Sequence, residues 1–335
     1  MAKKVLVYSE LPGDLIEKLK EIFEVRYIPG GKDISDLLPD LTEADGLLGS
    51  WLQAGKELLD HAPALKIISN ITVGYDNLDI PLLTERGIMA TNTPGVLDET
   101  TADTVFGLML AAARRFTELD RLVKTGNWKA PVSTEHYGID IHHKTLGIIG
   151  MGRIGSKIAK RAHFGFDMDI LYHNRSRDPE AEQLYDAVYC ELDELLEKSD
   201  FICLMVPLTP ETHRLIGEQE FKLMKKTAVF VNGSRGGTVD EAALIKALQE
   251  KTIYAAGLDV YEQEPVSPDN PLLKMDNVVT LPHIGSATHE TRYAMAKLAV
   301  ENLTKGLLGE CPPNLINREV FRGRCNRECL LNDSN

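Results

Sequence analysis

The stretch Thr145-Leu-Gly-Ile-Ile-Gly150-Met-Gly152-Arg-Ile-Gly155 decides the fold. An apolar, strand-like run enters Gly-x-Gly-x-x-Gly, and residues 156–163 continue at helical spacing. Each glycine answers a different demand. Gly150 makes the tight turn, Gly152 lets the backbone approach a pyrophosphate, and Gly155 lets a helix pack closely on the strand. The unpaired N–H groups of the helix N-terminus then face the phosphates. Glycine-rich turns are common, so the weight comes from context: a strand before, a helix after, and a second strand candidate at 168–173. A plain strand–helix turn is the alternative reading.

Working outward, short apolar runs alternate with amphipathic stretches from end to end. Strands are predicted at 4–8, 25–28, 46–49, 66–69 and 88–91, and again at 145–150, 168–173, 201–205, 228–232, 255–259 and 278–281. Between them lie helical patterns such as 11–22, where Leu11, Leu15, Ile16, Leu19, Ile22 and Phe23 recur on one face. Strands alternating with helices imply a parallel sheet covered on both faces. Two such series in 335 residues imply two doubly wound α/β domains of Rossmann-like type. A long helix is expected from 97 to about 124, its part at 101–113 nearly apolar all round and therefore buried, between domains or subunits. A further helix is expected at 287–308, and the sequence does not say which domain it joins.

Composition excludes several classes. With 37 basic against 50 acidic side chains the net charge is −13, a surface that repels phosphate backbones, so no nucleic-acid partner is expected. The longest apolar run, 105–113, is far short of the roughly 20 residues that span a bilayer, so no membrane partner is expected either. No secretory signal is read at the N-terminus, and a cytoplasmic location is expected. The five cysteines, Cys190, Cys203, Cys311, Cys325 and Cys329, are an odd number in a long chain and suit reduced thiols. No metal site is expected; Cys325 and Cys329 have no second pair of ligands.

The second strand of the glycine unit ends Tyr172-His173-Asn174-Arg175-Ser176-Arg177. An NAD site would place a carboxylate on the ribose near Asn174. Here Arg175, Ser176 and Arg177 stand instead, and no carboxylate occurs before Asp178. A guanidinium grips a 2′-phosphate that a carboxylate would repel, so NADP(H) is the expected cofactor, with a solvated basic turn as the alternative. Three further polar residues follow strand candidates, where doubly wound sheets hold ligands. Arg235 lies in Asn232-Gly-Ser234-Arg235-Gly-Gly, Glu264 in Asp259-Val-Tyr-Glu-Gln-Glu264-Pro265, and His283 in Pro282-His283-Ile-Gly285-Ser. Histidine donates protons near neutral pH, a neighbouring carboxylate stabilises its imidazolium, and an arginine holds a carboxylate and polarises a keto oxygen. That set would suit the reduction of a 2-keto acid. Glu262 is the rival carboxylate, aimed elsewhere by strand alternation, and His136, His142, His143 and His289 read as structural.

Together these motifs, in this order from residue 3 to about 318, resemble the D-isomer-specific 2-hydroxyacid dehydrogenases. Val73-Gly-Tyr-Asp-Asn77 and the arginine turn are most similar to the NADPH-dependent glyoxylate/hydroxypyruvate reductases. The resemblance implies a catalytic set of Arg235, Glu264 and His283. It implies substrate contacts from the backbone N–H groups of Val73 and Gly74 together with Arg235 and His283, and places Trp51 at the pocket, with core packing as the alternative. For the cofactor it implies Gly150, Gly152, Arg153, Ile154 and Gly155 on the pyrophosphate and Asp259 on the nicotinamide; Asn174, Arg175, Ser176, Arg177, Ser234 and Gly285 complete the expected cofactor contacts. It also implies a discontinuous substrate domain, 1–99 with 292–335, a dinucleotide domain at 100–291, a cleft between them, and a homodimer through the helix near 100–125, with Trp128 on an arm to the second subunit. The expected reaction is reduction of glyoxylate or hydroxypyruvate to a D-2-hydroxy acid. The alternatives are a 2-ketogluconate or other sugar keto acid substrate, and a nucleotide-sensing scaffold without catalysis. The tail at 321–335 matches no family feature.

Overall fold

The computed structural model describes residues 2–30 and 34–321, so Cys325, Cys329 and the tail beyond Phe321 lie outside the described residues. The chain divides into two compact units, one formed by Met1–Leu97 with Thr288–Asn335, the other by Asp98–Ala287.

The first unit runs β1 (Lys4–Val7), α1 (Gly13–Ile22), β2 (Glu24–Tyr27), α2 (Ile34–Leu41), β3 (Gly46–Gly49), α3 (Lys56–Asp60), β4 (Ile67–Asn70), α4 (Ile80–Glu85) and β5 (Met89–Thr91). Its five strands are all parallel, in the order β2-β1-β3-β4-β5, one of the two common doubly wound orders. Leu6, Leu47, Ile68 and Ala90 build its core across neighbouring strands.

The second unit starts with α5 (Asp98–Ala113) and α6 (Phe116–Lys124) and enters its sheet at β6 (Thr145–Ile149). There follow α7 (Arg153–Phe166), β7 (Asp169–His173), α8 (Pro179–Tyr185), β8 (Val188–Tyr189), α9 (Leu192–Lys198), β9 (Phe201–Leu204), α10 (Glu218–Leu223), β10 (Val229–Asn232), α11 (Glu241–Gln249), β11 (Ala255–Leu258) and β12 (Val278–Thr280). The order is β12-β11-β10-β9-β6-β7-β8, again all parallel. Ile148, Cys203 and Val231 face one core, while Ile149, Ile202, Leu204 and Phe230 face the other. Burial on both faces is why these strands read as unbroken apolar runs rather than alternating ones. The strand order reverses direction at β6, between β7 and β9, the place where such sheets bind ligands beyond the strand C-termini.

One expectation is corrected. The long helix is two: Arg115 adopts a left-handed conformation (φ +55°) and turns the chain between α5 and α6. Its guanidinium grips both oxygens of Glu118, at 2.7 and 2.6 Å, across the new first turn. The buried helix α5 packs within its own unit, on β10, β11 and α7; Gly233 and Gly257 leave room for Val105 and Leu108 there. Cys190 and Cys203 are buried free thiols.

The helix that follows the last strand, α12 (His289–Leu308), returns to the first unit, where it packs on α1, β3, β4 and β5. Thr288 caps it by accepting the Thr291 N–H at 3.2 Å, and Gly309 ends it in the left-handed conformation. Among the described residues no helix is long and apolar enough to cross a membrane.

Candidate active site

The glycine loop bears out its sterics in detail. Gly150 has φ +102°, and a side chain there would meet the Met205 backbone at 2.8 Å. A Cβ on Gly155 would lie 2.4 Å from the Gly150 carbonyl, so α7 reaches β6 only because both are glycine. Gly152 is different: nothing lies within 4 Å of where its Cβ would be. Close protein packing does not require glycine there, whereas a group approaching the backbone does, so the loop fits a dinucleotide pyrophosphate. Gly152 also caps α7 without any side-chain acceptor, which leaves the N–H groups at Arg153 and Ile154 for an anion. The Arg153 guanidinium lies 3.8 Å from Asp98.

Beyond β7 the expected adenosine-end residues divide by role. The Asn174 amide turns back on the glycine loop: Oδ1 accepts the Met151 N–H at 2.7 Å and Nδ2 donates to the Met151 carbonyl at 3.0 Å. Arg177 forks onto Glu182, Nε and Nη2 at 2.8 and 2.9 Å. The same Glu182 accepts from the Tyr172 hydroxyl at 2.7 Å, and Tyr172 in turn accepts the Asp178 N–H at 2.7 Å. Arg175 and Ser176, between these two braces, are exposed.

At the C-terminal ends of β10, β11 and β12 the polar residues converge. Asn232 ends β10 and organises the next turn, its Oδ1 accepting from the Ser234 N–H and hydroxyl at 3.0 and 2.8 Å, its Nδ2 donating to the Arg235 carbonyl at 3.0 Å. Gly236 follows because a Cβ there would stand 1.9 Å from the Tyr261 carbonyl. Asp259, buried at the end of β11, accepts the N–H groups of Ile284 and Gly285 at 2.7 and 2.8 Å. Burial pushes its carboxyl up against those two donors, which pull it down. A Cβ on Gly285 would press on this carboxylate at 3.1 Å.

His283 sits in that loop with φ +55°, in the left-handed region that few residues other than glycine adopt. Its Nδ1 lies 2.7 Å from Glu264 Oε2, and the other carboxylate oxygen accepts the Tyr261 N–H at 3.0 Å. Burial drives the Glu264 carboxyl up, but the His283 hydrogen bond, the Tyr261 N–H and the charges of His283 and Arg235 outweigh it and hold the group below the usual range. The pair therefore consists of an ionised carboxylate locked to one imidazole nitrogen, with Nε2 on the far side of the ring. Glu262 pairs instead with Arg214 at 2.9 Å. In the first unit, Val73 and Gly74 lie on the loop after β4, and Trp51 on the loop after β3, exposed and with φ +70°. Asn232 and Tyr261 lie inside the motifs around Arg235 and Glu264, but the sequence gives neither a role of its own.

The arrangement can hold an anion against N–H groups and an arginine and deliver a proton from an imidazole backed by a carboxylate. Comparison with known proteins identifies the family. Residues 106–285 match the family described as D-isomer specific 2-hydroxyacid dehydrogenase, NAD binding domain. Over 322 residues the chain is 51% identical to glyoxylate/hydroxypyruvate reductase B of Escherichia coli K12, covering 96% of this chain and 99% of the relative. Among solved structures, an NADPH-dependent glyoxylate/hydroxypyruvate reductase of Sinorhizobium meliloti, in complex with NADP and malonate, superposes with a TM-score of 0.84 at 34% identity, over 96% of this chain and 98% of that one. A protein of Thermus thermophilus gives 0.87 at 42% identity, over 93% and 99%. With its strand order, glycine loop and His283–Glu264 pair in place, the chain belongs to the D-isomer-specific 2-hydroxyacid dehydrogenase family.

Proposed function

We propose that this protein reduces small 2-keto acids, glyoxylate and hydroxypyruvate foremost, to D-2-hydroxy acids with NADPH. The observation that carries the reading is the His283–Glu264 pair at 2.7 Å, set at the strand ends of the same sheet as Arg235 and the glycine loop. When bound, the nicotinamide cofactor supplies the hydride that C2 of the keto acid receives. His283 gives its Nε2 proton to the developing alkoxide, and Glu264 stabilises the imidazolium that exists before that transfer. Arg235 holds the substrate carboxylate and polarises the keto oxygen, while the N–H groups of Val73 and Gly74 receive the same carboxylate. Asp259 fixes the loop that carries His283.

The preference for NADPH rests on the turn after β7, which presents Arg175 and Ser176 and no carboxylate, and on the S. meliloti relative described as NADPH-dependent. In this reading the unit of residues 1–97 and 288–335 binds substrate, the middle unit binds cofactor, and the protein works in the cytoplasm as a homodimer that includes α5 and α6. The test is an initial-rate panel of glyoxylate, hydroxypyruvate, pyruvate and 2-ketogluconate, each with NADPH and NADH. Reduction of the first two with kcat/KM higher for NADPH supports the proposal; equal or better use of NADH refutes the cofactor assignment, and no turnover on any 2-keto acid refutes the activity.

A further inference from the structure

Between β4 and α4, three successive peptide carbonyls are each held from inside the first unit. The Thr72 carbonyl accepts the Thr93 N–H at 2.9 Å. The Val73 carbonyl accepts from Asn92 Nδ2 at 2.8 Å. The Gly74 carbonyl accepts from Asn70 Nδ2 at 3.2 Å and from the Thr72 hydroxyl at 2.5 Å. In a planar trans peptide the carbonyl and the N–H that follows it point in opposite directions, and these peptides are trans. Drawing the three oxygens inward therefore turns the N–H groups of Val73, Gly74 and Tyr75 outward together. Among the described residues none of those three N–H groups meets a protein acceptor. Consecutive N–H groups aimed the same way form a concave anion site.

The anchors are themselves fixed. Asn70, Thr72 and Asn92 are buried. The Asn92 carbonyl accepts from Asn302 Nδ2 of α12 at 3.1 Å, and Asn302, fully buried, takes the Asn314 N–H at 3.1 Å on its oxygen. Buried amides are retained at a desolvation cost and are found where all their bonds are made. Here the bonds converge on one loop.

We infer that Asn92, supported by Asn70 and Thr72, is a positioning residue for substrate: it sets the peptide planes at 72–75 so that the loop presents a preformed nest of N–H donors to the carboxylate of a small 2-keto acid. The inference rests on the function proposed above. It assigns Asn92 no contact with substrate or cofactor, and the residue acts through the Val73 carbonyl alone.

The test compares wild type with Asn92→Asp, which keeps the shape but, when ionised, cannot donate and repels the Val73 carbonyl. The expected result is a KM for glyoxylate and an inhibition constant for oxalate, a simple dicarboxylate probe, both raised about 10-fold or more, the scale of one hydrogen bond to a charged group. The KM for NADPH is expected to stay within about twofold and kcat to change less than KM, a split that general loosening of the fold does not produce. Thr72→Val, which removes the second donor to Gly74 at nearly constant volume, is expected to move the same two constants in the same direction, and it decides the matter if Asn92→Asp does not fold. Unchanged constants for glyoxylate and oxalate, or an equal rise for NADPH, overturn the inference while leaving the proposed function standing. A wild type that oxidises NADPH with no 2-keto acid overturns both.

Discussion

Replacing Glu264 by glutamine isolates the contribution of the carboxylate to proton donation. Glutamine keeps the length and the oxygen that accepts the Tyr261 N–H, but its amide nitrogen then faces His283 Nδ1 at the 2.7 Å position. An amide N–H donates to the neutral imidazole and opposes the protonated one, so the substitution removes an attraction for the acid form. A hydrogen bond between charged partners contributes roughly 1.5–3 kcal/mol. With the two side chains 24% and 31% exposed, solvent screening puts this pair near the low end, about 1.5 kcal/mol. A loss of that size corresponds to roughly 10-fold in rate. The assay is kcat/KM for glyoxylate at saturating NADPH across the neutral range. In the variant kcat/KM should fall roughly 10-fold above neutrality and by less below it. Glu264 itself is held below the usual carboxylate range and stays ionised throughout, so the difference does not arise from its own protonation. A variant whose profile superimposes on that of wild type refutes the pairing as a source of proton affinity.

Other outcomes follow from single contacts. Gly236→Ala drives a methyl to 1.9 Å from the Tyr261 carbonyl; backbone cannot swing aside, so the urea midpoint should drop by an amount equivalent to about 3 kcal/mol or more, and an unmoved midpoint contradicts the packing argument. Arg175→Ala should raise the KM for NADPH about 10-fold or more with little effect on NADH. Arg177→Ala should cost less selectivity and more thermal stability, because Glu182 already occupies that guanidinium; equal loss of selectivity in the two variants would show that both touch the phosphate. The Cys203 thiol, buried and pushed up to about 12, should resist thiol reagents at pH 8 until the protein unfolds, and rapid labelling in native buffer would contradict its burial.

The sequence makes some of this legible and conceals the rest for identifiable reasons. The central strands of both sheets announce themselves because parallel strands buried on two faces are apolar nearly throughout, and the glycine loop because Gly150 and Gly155 are sterically required and Gly152 leaves its backbone open. The two-residue β8, at Val188–Tyr189, is too short to carry any period. The turn at Arg115 is concealed because arginine is a good helix former and the left-handed residue is chosen by the contact with Glu118, not by propensity. Asn174 stands at the position where a ribose ligand is expected, yet its amide closes on Met151; sequence places a residue on an element but does not aim its side chain. Asn70, Asn92 and Asn232 are missed for the same reason, since an asparagine after a strand ordinarily signals only a turn.

The return of α12 to the first sheet has a consequence for synthesis on the ribosome. Strands β1 to β5 are made first, but the helix whose Leu303 and Leu307 lie where Gly46 has no side chain, and whose Ala299 carbonyl takes the Ser69 hydroxyl, emerges only after the roughly 190 residues of the middle unit. At about 5–20 residues per second the nascent sheet waits roughly 10–40 s with one apolar face uncovered. The contiguous middle unit suffers no such delay. The interval in which this chain is most exposed to misassociation is therefore fixed by its topology, and slowing translation lengthens it in direct proportion.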